Sequence, residues 1–155
     1  MSRRYTDADL AAILRKQGKP VDFKYRANPK PRDPNTRTES QSQQAVIKWW
    51  HHACTGLRVP EHLLMAIPLQ AARTPRNGAR MKAEGARKGT LDLFLAVARN
   101  GGNGLWVEMK TPTGRVSPEQ VAMIADLRQQ GYAVEICRST DAAITTIMIY
   151  LGIRT

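Results

Sequence analysis

Only two cysteines, Cys54 and Cys137, occur in the 155 residues. So sparse a set excludes a disulfide framework and points to a reducing, cytoplasmic setting. No apolar run approaches the roughly 18 residues of a membrane span. The opening Met1-Ser2-Arg3-Arg4-Tyr5-Thr6-Asp7 lacks the apolar stretch of a secretory signal, so export is not expected. No internal repeat is present. Acidic residues are scarce as well: 13 Asp and Glu face 24 Lys and Arg, for a net charge of +11. An excess of that size attracts polyanions, of which nucleic acid is the usual one. A membrane surface fits less well, because no strongly apolar face opposes a basic one. Metal-binding spacing is also missing from His51, His52, Cys54 and His62. They match no zinc pattern and suit a helix end with partly buried side chains.

The length fits one domain, and a hydrophobic content of 42% can fill a core. Thr6 to Gln17 is expected to form a short helix stopped by Gly18. Lys19 to Thr38 holds four prolines and few apolar residues, which makes an extended basic arm. Residues 1–38 are thus set apart as helix and arm, and residues 39–155 as the domain proper. Glu39 to about Cys54 has helical periodicity, with Gln43, Val46, Ile47 and Trp50 on one face. Leu63 to Ile67 is expected to be a short strand. Ala71 to Glu84 is partly helical, weakened by Pro75, Asn77 and Gly78. Leu91 to Ala98 is an apolar strand, Arg99 to Gly104 a turn, and Leu105 to Lys110 a second long strand. Ser117 opens a helix with Pro118 in its first position and Gly131 as its stop. Tyr132 to Cys137 is a strand and Asp141 to Leu151 a closing helix. The order α-β-β-β-α-β-α predicts an α/β fold, a mixed sheet flanked by helices. The tryptophans Trp49, Trp50 and Trp106 are expected in the core or at an interface.

The two long strands carry the chemistry. As an antiparallel hairpin centred on Asn100, they place Asp92 directly opposite Glu108, with Cβ atoms about 5 Å apart. Lys110 lies two residues on and shares that side of the sheet. A slip of one residue would undo the arrangement. Two carboxylates so close stay ionised together when a divalent cation lies between them, and hard oxygen ligands suit Mg²⁺ or Mn²⁺. Such an ion binds a phosphate oxygen and lowers the pKa of a bound water. Lys110 then positions the attacking hydroxide or stabilises charge on the phosphate. An isolated Glu-x-Lys is ordinarily a surface pair. Here Asp92 interrupts an apolar strand, where an unpaired carboxylate would be costly.

Leu91-Asp92 followed by Glu108-Met109-Lys110 resembles the PD-(D/E)xK nuclease motif, and the wider pattern resembles its VRR-NUC branch. The matching pieces, over roughly residues 39 to 151, are Glu39-Ser40-Gln41, Lys82-Ala83-Glu84-Gly85, Gly89-Thr90-Leu91-Asp92, Glu108-Met109-Lys110, Gly114 to Gln120, and Gly131-Tyr132-Ala133-Val134. Two pieces depart from the family. Leu91 stands where proline is usual, and Pro68 is followed by Leu69-Gln70-Ala71 rather than Asn-Gly-Gly. The resemblance implies the restriction-endonuclease-like PD-(D/E)xK core, α-β-β-β-α-β. It also implies Asp92, Glu108 and the Met109 carbonyl as metal ligands, Lys110 as the catalytic lysine, Glu39 supporting the metal site, and Gln120 beside it. Periodicity independently puts Gln120 with Ile124 and Leu127 on the sheet-facing side of its helix.

Arg73, Arg76, Arg80, Lys82, Arg87 and Lys88 precede Asp92, and Arg115 follows Lys110. Charge runs are ordinarily solvated faces, but beside a phosphodiesterase site a DNA-backbone contact is equally expected. The resemblance favours Arg73 among them. Lys24, Arg26, Lys30, Arg32 and Arg37 give the arm a second, non-specific contact. The family includes small phage and bacterial proteins. The resemblance therefore implies a Mg²⁺- or Mn²⁺-dependent endonuclease, a homodimer acting on branched DNA such as four-way (Holliday) junctions. The alternatives are a non-catalytic nucleic-acid-binding protein with the same fold, and a nuclease for RNA or for single-stranded or flap ends.

Overall fold

The computed structural model describes residues 38–67 and 75–153, with side chains in the second stretch from Gly78 onward. The helix expected over Thr6 to Gln17, the expected arm up to Arg37, Arg73 and the side chain of Arg76 lie outside the described residues. The elements run α1 (Glu39–Ala53), a single 3₁₀ turn (Glu61–Leu63), β1 (Leu64–Ala66), α2 (Pro75–Ala83), β2 (Leu93–Leu95), β3 (Leu105–Met109), α3 (Pro118–Gln129), β4 (Ala133–Cys137) and α4 (Thr140–Tyr150). The sheet order is β1-β2-β3-β4. The first two pairings are antiparallel and β3·β4 is parallel, with α3 as the crossover that a parallel pair requires. The mixed, helix-flanked α/β sheet expected from the sequence is therefore present. Among the described residues no helix is long and apolar enough to cross a membrane.

Local chemistry explains the helix starts. Thr38 accepts from the Gln41 N–H while the Gln41 side chain accepts from the Thr38 N–H, a reciprocal cap for α1. Ser117 and Gln120 repeat the device at α3, with Pro118 in the first turn. Ser139 caps α4 one residue earlier than the periodicity predicts. The α2 segment is a full nine-residue helix and inserts an extra element between β1 and β2. Its Pro75 occupies the first helical position, where a missing N–H costs nothing.

The strand expected over Leu91 to Ala98 is shortened to Leu93–Leu95. Its backbone pairing nonetheless reaches further, since the Ile67 N–H donates to Asp92 O at 2.8 Å and the Ala96 N–H to Leu63 O at 2.8 Å. The short partner β1 limits the ladder.

Each face of the sheet is packed by different helices. Leu93, Leu95, Leu105, Val107 and Met109 form one core with Val46 and Trp50 of α1 and with Ala143 and Ile147 of α4. On the other face Val121, Ile124 and Ala125 of α3 pack with Leu91, Val116 and Val134, and Trp106 packs against them. Trp50 is fully buried and donates its indole N–H to Glu61 O at 2.8 Å. Trp49 and Trp106 are partly buried against the two cores, which places all three tryptophans as packing groups.

Cys54 and Cys137 are both free and buried. Burial pushes the Cys137 thiol up to about 11, opposed by a contact to Thr146 Oγ1 at 3.6 Å. Burial shuts both thiols away from reagent, and Cys137 is further held from its reactive thiolate form, so neither cysteine should react with a thiol reagent at pH 8 until the chain unfolds. Rapid labelling of one equivalent of native protein would contradict this packing.

Candidate active site

The site forms where β2 and β3 meet the starts of α1 and α3. The hairpin register pairs Leu93 with Val107, Phe94 with Trp106 and Leu95 with Leu105. Continuing it by one residue sets Asp92 opposite Glu108, as strand parity predicts. At Asp92 the ladder ends, and the side chain continues it: Asp92 Oδ2 accepts from the Met109 N–H at 2.8 Å. Trp106, Glu108 and Lys110 share the α3 side of the sheet. Glu108 is 1% exposed and Lys110 9%, a low exposure that charged groups tolerate only when paired.

Five predicted side chains converge here. Lys110 Nζ donates to Glu108 Oε1, and to Met109 O at 3.3 Å. It lies 3.7 Å from Glu39 Oε2. Gln120 Nε2 donates to the same Glu108 Oε1, while Gln120 Oε1 accepts from the Ser117 N–H at 2.9 Å. One glutamine thus closes the cap of α3 and holds Glu108. Glu39 Oε1 accepts from the Thr111 N–H at 3.2 Å, which ties the start of α1 to the chain leaving β3. Leu91, in place of the family's usual proline, is fully buried in the α3 core and anchors the approach to Asp92.

Electrostatics make the group hungry for positive charge. Burial raises the Glu108 carboxyl from 4.5 to about 7, with Asp92 adding to the rise and Lys110 opposing it. Asp92 is also raised, chiefly by burial, against the lowering effect of the Met109 N–H and Lys110. Glu108 Oε2 is buried without any hydrogen-bond partner. An orphaned buried acceptor costs about 1–3 kcal/mol, more when charged. The residues therefore fit a divalent cation, for which Glu108 Oε2, Asp92 and the Met109 carbonyl are the hard oxygen donors. Among the described residues no three His, Cys, Asp or Glu side chains are arranged to hold one metal ion between them, so water would complete the coordination shell. Glu39 is engaged with Thr111 and Lys110. The histidines near Cys54 form no metal group: His51 pairs with Glu61 at 2.6 Å, and His51, His52 and His62 are exposed around a buried Cys54.

The basic residues divide. Lys82, Arg87, Lys88 and Arg115 are exposed, whereas the exposed Arg80 pairs with Glu84 one helical turn on, at 2.7 Å. Arg115 lies on the loop between Lys110 and α3. Two contributors are not marked in the sequence, the Thr111 backbone and Arg138. Both act through hydrogen bonds between segments distant along the chain.

A mixed sheet with this carboxylate–lysine group on its central hairpin is a nuclease-like, restriction-endonuclease-like core. Residues 37–141 match the VRR-NUC domain, and the chain belongs to that family, one generally of nucleases. A solved structure described as a VRR_NUC domain protein is similar in fold, with a TM-score of 0.61 and 23% identity over 76% of this chain and 91% of that one. A search of curated proteins found no match.

Proposed function

We propose that this protein is a divalent-metal-dependent DNA endonuclease that cuts branched duplexes, four-way junctions among them, as a homodimer in the cytoplasm. The observation that carries the reading is the buried, partnerless Glu108 Oε2 beside Asp92, with the Lys110 ammonium held on the other Glu108 oxygen. A bound Mg²⁺ or Mn²⁺ would neutralise the carboxylates, take a phosphate oxygen and acidify a water. Lys110, fixed by Glu108, Met109 O and Glu39, keeps a cation beside the attacked phosphate and stabilises the charge that develops there. Gln120 keeps Glu108 in one orientation. The exposed Lys82, Arg87, Lys88 and Arg115, with the net charge of +11, supply phosphate contacts. Pairing of two copies follows from the chemistry: one site cuts one strand, and resolving a junction needs two cuts.

The test is cleavage of matched linear, flap and four-way DNA with each metal. Metal-dependent cutting of the branched forms is expected. No cleavage of any DNA or RNA would favour a binding protein, and preference for RNA or single-stranded ends would redirect the substrate.

Stability should report the metal independently. Without a divalent ion, the folded state holds more protons than the unfolded one between pH 4.5 and about 7, because the folded Glu108 value is raised. Stability therefore falls as pH rises through that window, by about 3 kcal/mol for Glu108, and the raised Asp92 acts in the same direction. The thermal shift produced by Mg²⁺ or Mn²⁺ should accordingly be larger at pH 8 than at pH 5. Equal shifts at the two values would count against Glu108 as a ligand.

A further inference from the structure

We infer that Arg138 is a positioning residue for this site, clamping the turn that carries Lys110 into α3; the inference rests on the nuclease reading above for its kinetic part only. Arg138 follows β4 and precedes Ser139, the cap of α4. Its Nη1 donates to Thr111 O at 3.1 Å and to Gly114 O at 2.8 Å. These are the two ends of a tight turn, whose own bond runs from the Gly114 N–H to Thr111 O at 2.9 Å. One guanidinium therefore fixes both ends of the segment directly after Lys110. Both bonds leave one nitrogen, whose two hydrogens are fixed in the guanidinium plane and so aim at the two carbonyls together, whereas the hydrogens of a lysine ammonium rotate freely on a flexible stem.

The turn matters because Glu39 hangs from it. Thr111 presents its N–H to Glu39 Oε1, and Glu39 Oε2 faces the Lys110 ammonium. A Cβ on Gly114 would lie 3.0 Å from Glu39 Oε1 and 3.0 Å from Thr111 Oγ1, so the turn is packed directly on that carboxylate. The backbone adds a parallel anchor, since the Lys110 N–H donates to Cys137 O at 2.8 Å, one residue before Arg138. The end of β4 thus holds Lys110 by its backbone, and through Arg138, Thr111 and Glu39 by its ammonium. Releasing the turn would loosen Glu39, and with it the orientation of Lys110. Phosphate binding by Lys82, Arg87 and Lys88, which lie on other segments, would be left alone, and Arg115 beside the turn is one contact among several.

Arg138→Ala should lower kcat about tenfold with KM for DNA within twofold, and Arg138→Lys should recover part of the loss. In a Glu39→Gln background the same Arg138→Ala change should cost less than twofold, because both act on one chain of contacts. Hydrogen exchange at the Thr111 and Gly114 amides should accelerate in Arg138→Ala while the Val107 amide keeps its protection. An undiminished kcat, a tenfold loss repeated in full in the Glu39→Gln background, or a KM effect alone would overturn the inference. So would unchanged exchange at Thr111 and Gly114, which is read whether or not the wild type cuts DNA. Absence of cleavage by the wild type would instead remove the nuclease reading and leave the clamp to be judged by exchange.

Discussion

Asp92→Asn and Lys110→Met are each expected to slow single-turnover cleavage by about a thousandfold or more, on every substrate the wild type cuts. The two changes remove charge while preserving volume. An asparagine at position 92 can still accept the Met109 N–H that now reaches Asp92 Oδ2 at 2.8 Å, so the end of the β2·β3 ladder should survive. What disappears is one of two negative charges facing the same point, and with it most of the affinity for a divalent ion. A methionine at position 110 keeps the apolar stem but withdraws the cation, leaving Glu108 Oε1 with Gln120 as its remaining donor. The readouts should separate. Asp92→Asn should raise the metal concentration needed for half-maximal stabilisation, whereas Lys110→Met should retain metal-induced stabilisation while losing cleavage. Residual rates within tenfold of wild type for either variant, with an intact melting transition, would remove the site from the reaction.

How much of this site could be read from sequence follows from the kind of contact involved. Asp92, Glu108 and Lys110 sit on adjoining strands, where a period of two and one register decide everything. The register is subtler than a turn centred on Asn100. The tip is a two-residue loop, Asn100 and Gly101, closed by mutual hydrogen bonds between Arg99 and Gly102. Both tip residues have positive φ, as such hairpin loops require. Extended without interruption, that tip would set Asp92 against Met109. Between the tip and the ladder, however, Ala96, Val97 and Ala98 oppose only Asn103 and Gly104. The extra residue acts as a bulge and restores the pairing that faces Asp92 with Glu108.

Glu39 is legible only through resemblance, because no local periodicity encodes how its helix docks; for Gln120 periodicity gives the sheet-facing side of its helix with Ile124 and Leu127, and only resemblance gives its place beside the site. Arg138 carried no signal at all. It is one of many arginines, and its partners are backbone carbonyls at Thr111 and Gly114. The α2 helix was underestimated because Pro75, Asn77 and Gly78 are weak helix formers, although Pro75 stands where proline is tolerated.

Gly89→Ala should be the most damaging single methyl that the segment leading to Asp92 can receive. Gly89 has φ +85°, and an added Cβ would lie 2.5 Å from both the carbonyl carbon and the oxygen of Glu119 and 2.9 Å from the Gln120 N. Those are backbone atoms in the first turn of α3, so no side-chain rotation can relieve the clash. The left-handed conformation alone costs an alanine about 1–2 kcal/mol, and forced displacement of packed backbone adds about 1–3 kcal/mol. Gly101→Ala is the natural control, since its φ of +78° imposes a similar conformational cost with nothing within 4 Å of the new methyl. The difference between their denaturant midpoints isolates the contact with α3. That contact also bears on the site, because the atom approached at 2.9 Å is the backbone nitrogen of Gln120, whose side chain holds Glu108. Gly89→Ala should therefore lose both stability and metal-dependent cleavage, and Gly101→Ala only a little stability. If the two alanines proved equally mild, α3 would have to be less tightly seated on the Gly89 turn than these distances allow, and the hold of Gln120 on Glu108 would lose its steric foundation.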